Sequence, residues 1–313
     1  MRVVFMGSPD FALPCLEQLL QSPYEVVGVV TQPDRPKGRG KKLQFTPVKE
    51  RALSKGIPVF QPENVNHPDS VEKLRSLAPD VLVVVAFGQI LKKELLALPP
   101  LGCINVHASL LPKYRGAAPI HWAIINGETE TGVTTMFMDE GMDTGDMILK
   151  KTIPIGAEDT TGMIHDRLAD TGGKLLRETL DLLQHHQAPR KAQDHRLATY
   201  APLLTREHER IDWTKNCREV YNLVRGMNPW PGAYTTFENK IVKIWETKII
   251  AEESEGRKER PGTVLEAVHG KGIKVKCGQG SLWITVLQPQ GKQAMAGDAW
   301  ARGARLQKGS ALE

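Results

Sequence analysis

Short apolar runs alternate with helical patterns from the start of the chain to about residue 155. The runs predict strands at Arg2–Met6, Glu25–Gln32, Pro58–Gln61, Asp80–Phe87, Cys103–His107 and Gly132–Met138. The segments between them predict helices at Leu13–Gln21, Pro47–Ser54, Ser70–Leu77, Lys92–Leu98 and Ala117–Asn126. Several strands are apolar without alternation, as expected of parallel strands covered on both faces. The pattern therefore predicts an α/β fold with a Rossmann-like, doubly wound and mostly parallel sheet.

The rest of the chain has a different pattern. Thr160–His186 carries an apolar stripe of helical period, and its adjacent Gly172 and Gly173 predict a kink. A polar, proline-flanked stretch follows, and then a helix from Thr205 to about Arg225. Strands separated by glycine-containing turns are predicted at Lys240–Ile250, Gly262–His269, Gly272–Lys276 and Ser281–Pro289, with a final helix or strand and a frayed end after Ala294. This second pattern predicts a small OB-fold-like β-barrel.

The length of 313 residues is about twice that of a common domain. We predict a catalytic domain at residues 1–188, a linker at 189–204 and a C-terminal domain at 205–313. The longest apolar run, Val81–Phe87, is far shorter than the ~20 residues that span a bilayer. The N-terminus lacks the pattern of a signal or transit peptide, and the four cysteines are scattered without a Cys-x-x-Cys pair. These features predict a cytoplasmic protein without a zinc site.

The charge is uneven along the chain. Residues 1–205 hold 23 Lys and Arg against 23 Asp and Glu, so the net charge of +5 lies wholly in residues 206–313. A second basic segment is compact and follows the second predicted strand. Its five cations are Arg35, Lys37, Arg39, Lys41 and Lys42. A solvated loop and a nucleic-acid contact are about equally compatible with the loop's charge alone, and the basic last third favours the nucleic-acid contact.

The first strand leads into a turn that contains Gly7 and Pro9. A nicotinamide or flavin site needs Gly-x-Gly-x-x-Gly here, so that backbone amides can approach a pyrophosphate. Only the first glycine is present, and the proline removes an amide donor. We therefore expect a dinucleotide-binding sheet that binds no NAD or FAD.

A polar pair lies at the end of the strand Cys103–His107. Asn105 and His107 are two residues apart and point to the same face of a strand. An amide and an imidazole side by side can stabilise an oxyanion in acyl transfer, although an isolated Asn-x-His is more often only structural.

The residues around this pair indicate a functional role for it. Ser109–Gly116 follows it directly, and Met138–Asp146 comes later in the same predicted domain. Together these segments resemble the formyltetrahydrofolate-dependent formyltransferase family. The resemblance implies a catalytic group of Asn105, His107 and Asp143, and 10-formyltetrahydrofolate as formyl donor, with no metal and no NAD. It also implies a folate site that includes Phe87, Gly88, Ile90, Ser109, Leu110, Leu111, Pro112 and Asp139.

The basic loop and the C-terminal domain resemble the branch of this family that formylates initiator methionyl-tRNA. The resemblance implies that the loop engages the acceptor end of the tRNA and that the C-terminal domain binds tRNA. No obligate protein partner is evident. Two alternatives remain open: a formyltransferase that acts on a nucleotide sugar or a purine intermediate, and a non-catalytic RNA-binding protein on a similar scaffold.

The altered turn after the first strand makes a prediction that needs no knowledge of the reaction. Calorimetric titration with NAD, NADP and FAD should give no heat of specific binding, because the second and third glycines of the motif are missing and Pro9 removes an amide donor. Micromolar affinity for any of the three would contradict this interpretation of Gly7 and Pro9.

Overall fold

A helix-flanked sheet and an antiparallel sheet make up the fold in a computed structural model, which describes residues 1–37, 42–250 and 259–313. The chain divides into two units. The first contains Met1–Pro119, Glu130–Pro154 and His165–Ala201, and the second contains Ile120–Thr129, Ile155–Ile164 and Pro202–Glu313. This division differs from the predicted domain limits, because two short insertions of the N-terminal half belong to the second unit. None of the helices in the described residues is long and apolar enough to cross a membrane.

The described elements of the N-terminal half are, in chain order, β1 (Arg2–Gly7), α1 (Leu13–Leu20), β2 (Glu25–Val30), β3 (Arg35–Lys37), β4 (Lys42–Gln44), α2 (Pro47–Ser54), β5 (Val59–Phe60), α3 (Pro68–Ser76), β6 (Val81–Val85), α4 (Lys93–Leu96), β7 (Cys103–His107), α5 (Pro119–Ile125), β8 (Glu130–Phe137), β9 (Met147–Pro154) and α6 (Thr161–Gln184). Those of the C-terminal part are α7 (Arg206–Glu209), α8 (Cys217–Gly226), β10 (Ala233–Phe237), β11 (Lys240–Ile249), β12 (Val264–Val268), β13 (Gly272–Lys276), β14 (Ser281–Pro289), β15 (Met295–Ala296) and α9 (Gly297–Gly303). Short 3₁₀ helices lie at Asp10–Ala12 and His195–Leu197.

The first sheet has the strand order β5-β2-β1-β6-β7-β8-β9. The five strands from β5 to β7 are parallel, whereas β8 and β9 pair antiparallel. The predicted Rossmann-like, mostly parallel sheet is confirmed. The sequence pattern missed β9, because it is an edge strand that contains Lys150 and Lys151, both largely exposed, in place of an apolar run.

Alternation along the central strands sorts their side chains between two faces. Val84 of β6 and Cys103 of β7 share one core with residues of α3 and α4. Val106 points to the other face, where it packs against α6 at Gly172. Asn105 and His107 have the same parity as Cys103, so they lie on the face opposite α6.

The paired glycines of α6 do not interrupt it, since Thr161–Gln184 is one continuous helix. They permit close packing instead. A Cβ atom at Gly172 would lie 3.1 Å from a methyl group of Val106, and one at Gly173 would lie 2.8 Å from the carbonyl oxygen of Pro14 in α1. The two glycines therefore let α6 pack closely on β7 and α1.

The second unit is built on an antiparallel sheet of order β10-β11-β14-β13-β12, with β15 paired to β14. The last residues of the chain connect its two edges. Val264 donates its backbone N–H to Ser310, and Thr236 exchanges two backbone hydrogen bonds with Glu313, at 2.7 and 2.9 Å. The C-terminal segment is therefore a paired strand-like closure, and the prediction of a frayed end is wrong.

The helix predicted from Thr205 to Arg225 is two helices, α7 and α8. Between them Asp212 accepts a hydrogen bond from the backbone N–H of Thr214 at 3.0 Å, which closes a turn. Asn216 then begins α8 through a capping box with Glu219. The turn at Asp212 and the cap at Asn216 separate α7 from α8, so one continuous helix does not form. The sequence pattern also missed β10.

Close packing of α6 makes a testable stability prediction. In Gly173→Ala the helix gains up to about 1 kcal/mol of propensity, but overpacking costs about 1–3 kcal/mol. A backbone carbonyl in a neighbouring helix cannot rotate away, so we expect a net loss and a lower midpoint of urea unfolding. The control is Gly303→Ala in α9, where no atom lies within 4 Å of the added methyl group. An equal or higher midpoint for Gly173→Ala would contradict this packing.

Candidate functional site

The sheet brings Asn105, His107 and Asp143 together. Asn105 and His107 lie on β7, and Asp143 lies in the loop between β8 and β9. The Nδ2 of Asn105 donates to Oδ1 of Asp143 at 3.4 Å, and Nδ1 of His107 lies 3.6 Å from Oδ2 of the same carboxylate. One carboxylate therefore faces both side chains of the polar pair.

His107 is oriented by its other ring nitrogen. Its Nε2 lies 2.9 Å from the backbone carbonyl oxygen of Tyr114. A carbonyl oxygen can only accept, so Nε2 carries a proton and donates it. Nδ1 is then the nitrogen that is left to face Asp143 and to exchange a proton. The His107 side chain is 8% exposed, so its orientation is fixed by packing as well as by this bond.

Asp143 itself has an unusual backbone. Its φ is +53°, in the left-handed region that non-glycine residues rarely adopt. Its Oδ2 accepts the backbone N–H of Gly116 at 2.8 Å. The carboxylate is thus held by a backbone donor from the loop that follows β7.

The segment Ser109–Pro112 is held by hydrogen bonds to Lys113 and to Thr134 of β8. Ser109 donates its hydroxyl to the carbonyl of Lys113 at 2.6 Å, and Thr134 of β8 donates to the carbonyl of Ser109 at 2.7 Å and accepts from the N–H of Leu111 at 3.2 Å. Ser109 and Leu111 are buried, whereas Leu110 and Pro112 are half-buried. The side chains of Ser109 and Leu111 therefore fix the loop after β7.

The predicted folate residues after β6 differ in exposure. Phe87 is buried in the core beside α3 and α4, and its carbonyl accepts from Nε2 of Gln32 at 3.0 Å. Gly88 has a φ of +82°, and the side chain of Ile90 is 77% exposed. Asp139 accepts the N–H of Gly141 at 3.0 Å and so closes its own loop. Of these side chains, those of Ile90 and Asp139 are exposed.

The sequence pattern assigned no role to two residues of this neighbourhood, Gln193 and Arg115. Gln193 lies in the predicted linker, and it contacts both Arg115 and the loop that carries Asp143. The backbone of residues 199–201 pairs with that of Arg115. Much of the predicted linker 189–204 therefore belongs to the first unit. Arg115 stands in the Ser109–Gly116 motif, but a glutamine in a polar stretch gives no signal in a single sequence.

The five predicted tRNA-binding residues divide into three groups. Arg35 is exposed on β3, which pairs with β4 as a two-stranded hairpin. Lys37 and Lys42 face each other in the backbone register of that hairpin. Arg39 and Lys41 lie outside the described residues. The basic segment is therefore a hairpin in part, where the sequence predicts a loop.

The turn after β1 has little space around its glycine. A Cβ atom at Gly7 would lie 2.8 Å from the carbonyl oxygen of Val85 and 2.9 Å from Cβ of Ala12. This glycine is needed for close packing of the turn on β6.

Across residues 1–37, 42–250 and 259–313, no group of three His, Cys, Asp or Glu side chains is arranged to hold a metal ion.

Comparison with known proteins places the chain in a class. Residues 1–180 match the formyl transferase family, and residues 203–305 match the formyl transferase C-terminal domain. The chain therefore belongs to the formyl transferase family. Over its whole length it is 55% identical to a methionyl-tRNA formyltransferase of Desulforamulus reducens and 51% identical to one of Clostridioides difficile, covering 98% and 100% of those proteins. The family resemblance predicted from the sequence is confirmed.

Solved structures share the fold at low identity. An N-formyltransferase from Helicobacter canadensis, in complex with folinic acid and dTDP-3-aminofucose, is 19% identical, with a TM-score of 0.66 over 90% of this chain and 97% of that one. HypX from Aquifex aeolicus, in complex with tetrahydrofolic acid, is 19% identical, with a TM-score of 0.62 over 96% of this chain. The chain spans about half the length of HypX, 47%. These structures support the fold assignment.

Proposed function

We propose that this chain transfers the formyl group of 10-formyltetrahydrofolate to the α-amino group of methionine on initiator methionyl-tRNA. The products are N-formylmethionyl-tRNA for translation initiation and tetrahydrofolate. The observation that carries the proposal is the convergence of Asn105, His107 and Asp143, in a chain that matches methionyl-tRNA formyltransferases over its whole length. The folate is a co-substrate. The proposal places the reaction in the cytoplasm and requires no obligate protein partner.

The amide of Asn105 suits the charge that develops in the reaction. Attack of a neutral amine on the formyl carbon gives a tetrahedral intermediate whose oxygen gains negative charge. Nδ2 of Asn105 has two hydrogens, and its contact with Asp143 uses one of them. The second N–H is the donor that we assign to the oxyanion.

Proton movement is assigned to His107 and Asp143. Nε2 of His107 is committed to Tyr114, so a second hydrogen bond to the oxyanion, or transfer of the amine proton, uses Nδ1. Asp143 faces that nitrogen at 3.6 Å, a distance that leaves the two groups near each other without a direct hydrogen bond. The carboxylate orients the ring electrostatically and accepts the proton that the attacking amine loses, directly or through water. The same proton then passes from Asp143 to N10, and the bond between the formyl carbon and N10 breaks to release tetrahydrofolate.

The residues after β6 and β7 fit the folate. A planar, polar-edged pterin needs backbone donors and acceptors around its rim and apolar side chains on its faces. Gly88 supplies a turn of positive φ, Ile90 an exposed apolar side chain, and Leu110 and Pro112 a half-buried apolar wall. Phe87, Ser109 and Leu111 are assigned to holding these two loops, and Asp139 to closing the loop that carries Asp143.

Exposed lysines of the second unit support a tRNA contact. Lys240, the first residue of β11, and Lys271, in the turn before β13, are exposed, whereas Lys274 is buried, with its ammonium 3.5 Å from Glu266. We therefore assign phosphate contacts to Lys240 and Lys271 and a structural role to Lys274. The basic hairpin, with Arg35 on β3, is assigned to the acceptor end of the tRNA.

The proposal is tested by offering the purified chain three acceptors together with 10-formyltetrahydrofolate: initiator methionyl-tRNA, elongator methionyl-tRNA and an amino-sugar nucleotide. The expected result is formylmethionine recovered from the initiator tRNA, with tetrahydrofolate formed in equal amount. Transfer to the sugar nucleotide alone would favour a sugar formyltransferase. Binding of tRNA without any transfer would favour a non-catalytic RNA-binding protein.

The catalytic assignment predicts the effect of single substitutions. Asn105→Ala and His107→Ala should each lower kcat on the order of 10²–10³-fold, the usual scale for loss of an oxyanion donor. Asp143→Ala should cost at least as much, because it removes both orientation of the imidazole and a proton acceptor. Folate binding by Asn105→Ala should stay near that of the unsubstituted protein. His185→Ala, an exposed imidazole after α6, is the control. A kcat for His107→Ala close to that of the control would contradict the assignment.

The two basic regions predict different defects. Lys240→Gln with Lys271→Gln should weaken tRNA binding and reduce the slope of log affinity against log salt by roughly 0.7–0.9 for each lost phosphate contact. Arg39→Ala should mainly lower formylation of bound tRNA, because a misplaced acceptor end loses the alignment of the attacking amine. Lys174→Gln, an exposed lysine of α6, controls for the change of charge. The division of roles is wrong if Arg39→Ala has normal kcat at saturating tRNA, or if the double variant keeps the original salt slope.

A further inference from the structure

The backbone of Asp143 needs support from its surroundings. A non-glycine residue at a φ of +53° is in a sparsely populated conformation, which persists only when neighbouring groups fix it. The bond from the N–H of Gly116 fixes the carboxylate, but it does not fix the carbonyl of Asp143. A second set of contacts acts on that carbonyl.

Gln193 supplies those contacts with one amide group. Its Nε2 donates to the carbonyl oxygen of Asp143 at 2.8 Å and to that of Gly145 at 2.8 Å. Both hydrogens of the amide are thus used on the same loop, on either side of Thr144. Gln193 as a residue is 6% exposed, so water does not compete freely for these bonds.

Arg115 fixes the direction in which this amide points. Its Nε and Nη2 both donate to Oε1 of Gln193, at 3.1 and 2.7 Å. A guanidinium has donors only, so the amide oxygen must face Arg115 and the NH₂ group must face the loop. Arg115 is 2% exposed, and its Nη2 also lies 3.2 Å from Nδ1 of His195.

The backbone around Arg115 also connects this region to the carboxylate of Asp143. Arg115 exchanges backbone hydrogen bonds with Thr199 and Ala201, at 2.9 and 2.7 Å, and so ties its loop to the strand-like segment after Gln193. The next residue, Gly116, donates to the carboxylate of Asp143. Arg115 therefore stands between a side-chain path to the carbonyl of Asp143 and a backbone path to its carboxylate.

We propose that Arg115 and Gln193 are positioning residues, which hold Asp143 in its left-handed conformation with the carboxylate between Asn105 and His107. This inference rests on the proposed formyl transfer for its kinetic consequence, whereas its structural consequence is independent of any substrate. Neither residue contacts the reacting groups directly in the proposal; both act through Asp143.

Gln193→Glu is the sharpest test, because it keeps the shape and the acceptor for Arg115 but removes both N–H donors. A carboxylate beside Arg115 forms an ion pair, so the variant retains that contact, while the carbonyls of Asp143 and Gly145 lose their donor. We expect kcat to fall on the order of 10–100-fold, the scale of a small misplacement of a reacting group. The KM values for 10-formyltetrahydrofolate and methionyl-tRNA should change less than about 3-fold, because catalysis depends on alignment more than ground-state binding does.

A double-mutant cycle separates positioning from general destabilisation. In an Asp143→Ala background, Gln193→Glu should lower kcat by no more than about 2-fold, since residues that act as a unit are not additive. A merely structural role would give the same factor in both backgrounds. Gln288→Glu is the matched control, because Nε2 of Gln288 donates to the carbonyl of Lys292 at 2.8 Å in the second unit. That control should leave kcat unchanged.

A crystal structure of Gln193→Glu gives a readout that does not depend on activity. The proposal expects Asp143 to leave the positive-φ region, or its carboxylate to leave the N–H of Gly116. An unchanged Asp143 in that structure, or additive effects in the cycle, would overturn the proposal. Absence of formyl transfer by the unsubstituted protein would instead contradict the proposed function, and the crystal structure would still decide the role of Gln193.

Discussion

The carboxylate of Asp143 accepts the backbone N–H of Gly116 at 2.8 Å while it faces Asn105 at 3.4 Å and His107 at 3.6 Å. The proposed chemistry depends on this one group, since the proposal assigns to it the orientation of the amide and the imidazole. A carboxylate on a backbone of positive φ is an unfavourable local choice. The loop after β7 and the segment around Gln193 offset that cost, so parts of the chain far from the strand contribute to the site.

Strand pairing changes from parallel to antiparallel at β7, and the loop that carries Asp143 connects the antiparallel strands β8 and β9. A parallel successor to β7 would need a crossover helix on one face of the sheet. Here β8 pairs antiparallel with β7 and β9 with β8, so their connection carries Asp143 to Asn105 and His107 without such a crossover. Behind the strand, Gly172 lets α6 approach Val106 closely. The strand is thus held from one face while it presents Asn105 and His107 on the other.

Part of this arrangement could be predicted from local pattern. The strand Cys103–His107 and the shared face of Asn105 and His107 follow from period-two alternation, and they agree with the structure. The meeting of Asp143 with that face does not follow from any local rule, and it was suggested by family resemblance. The left-handed backbone at Asp143 has no signal in the sequence, because aspartate occurs in many turns.

Features set by distant pairing were the ones that the sequence did not predict. β9 is an edge strand with exposed lysines, so it lacks the apolar run that predicts a strand. Gln193 contacts the Asp143 loop from a polar stretch, where a glutamine does not indicate any particular contact. The closure of the second sheet by Ser310–Glu313 joins segments that are far apart in the chain. A capping box at Asn216 and Glu219 was readable, and it marks the start of α8 that the predicted long helix passed over.

In the proposed reaction the formyl group lies beside Asn105 and His107 of β7. A crystal structure of this protein with a non-transferring analogue of 10-formyltetrahydrofolate measures that position directly. We expect the formyl oxygen about 2.7–3.1 Å from Nδ2 of Asn105, the distance of an effective oxyanion donor, with Nδ1 of His107 turned toward the same group. A formyl group bound away from Asn105, or an imidazole that turns Nε2 toward it and leaves Tyr114, would rule out this mechanism.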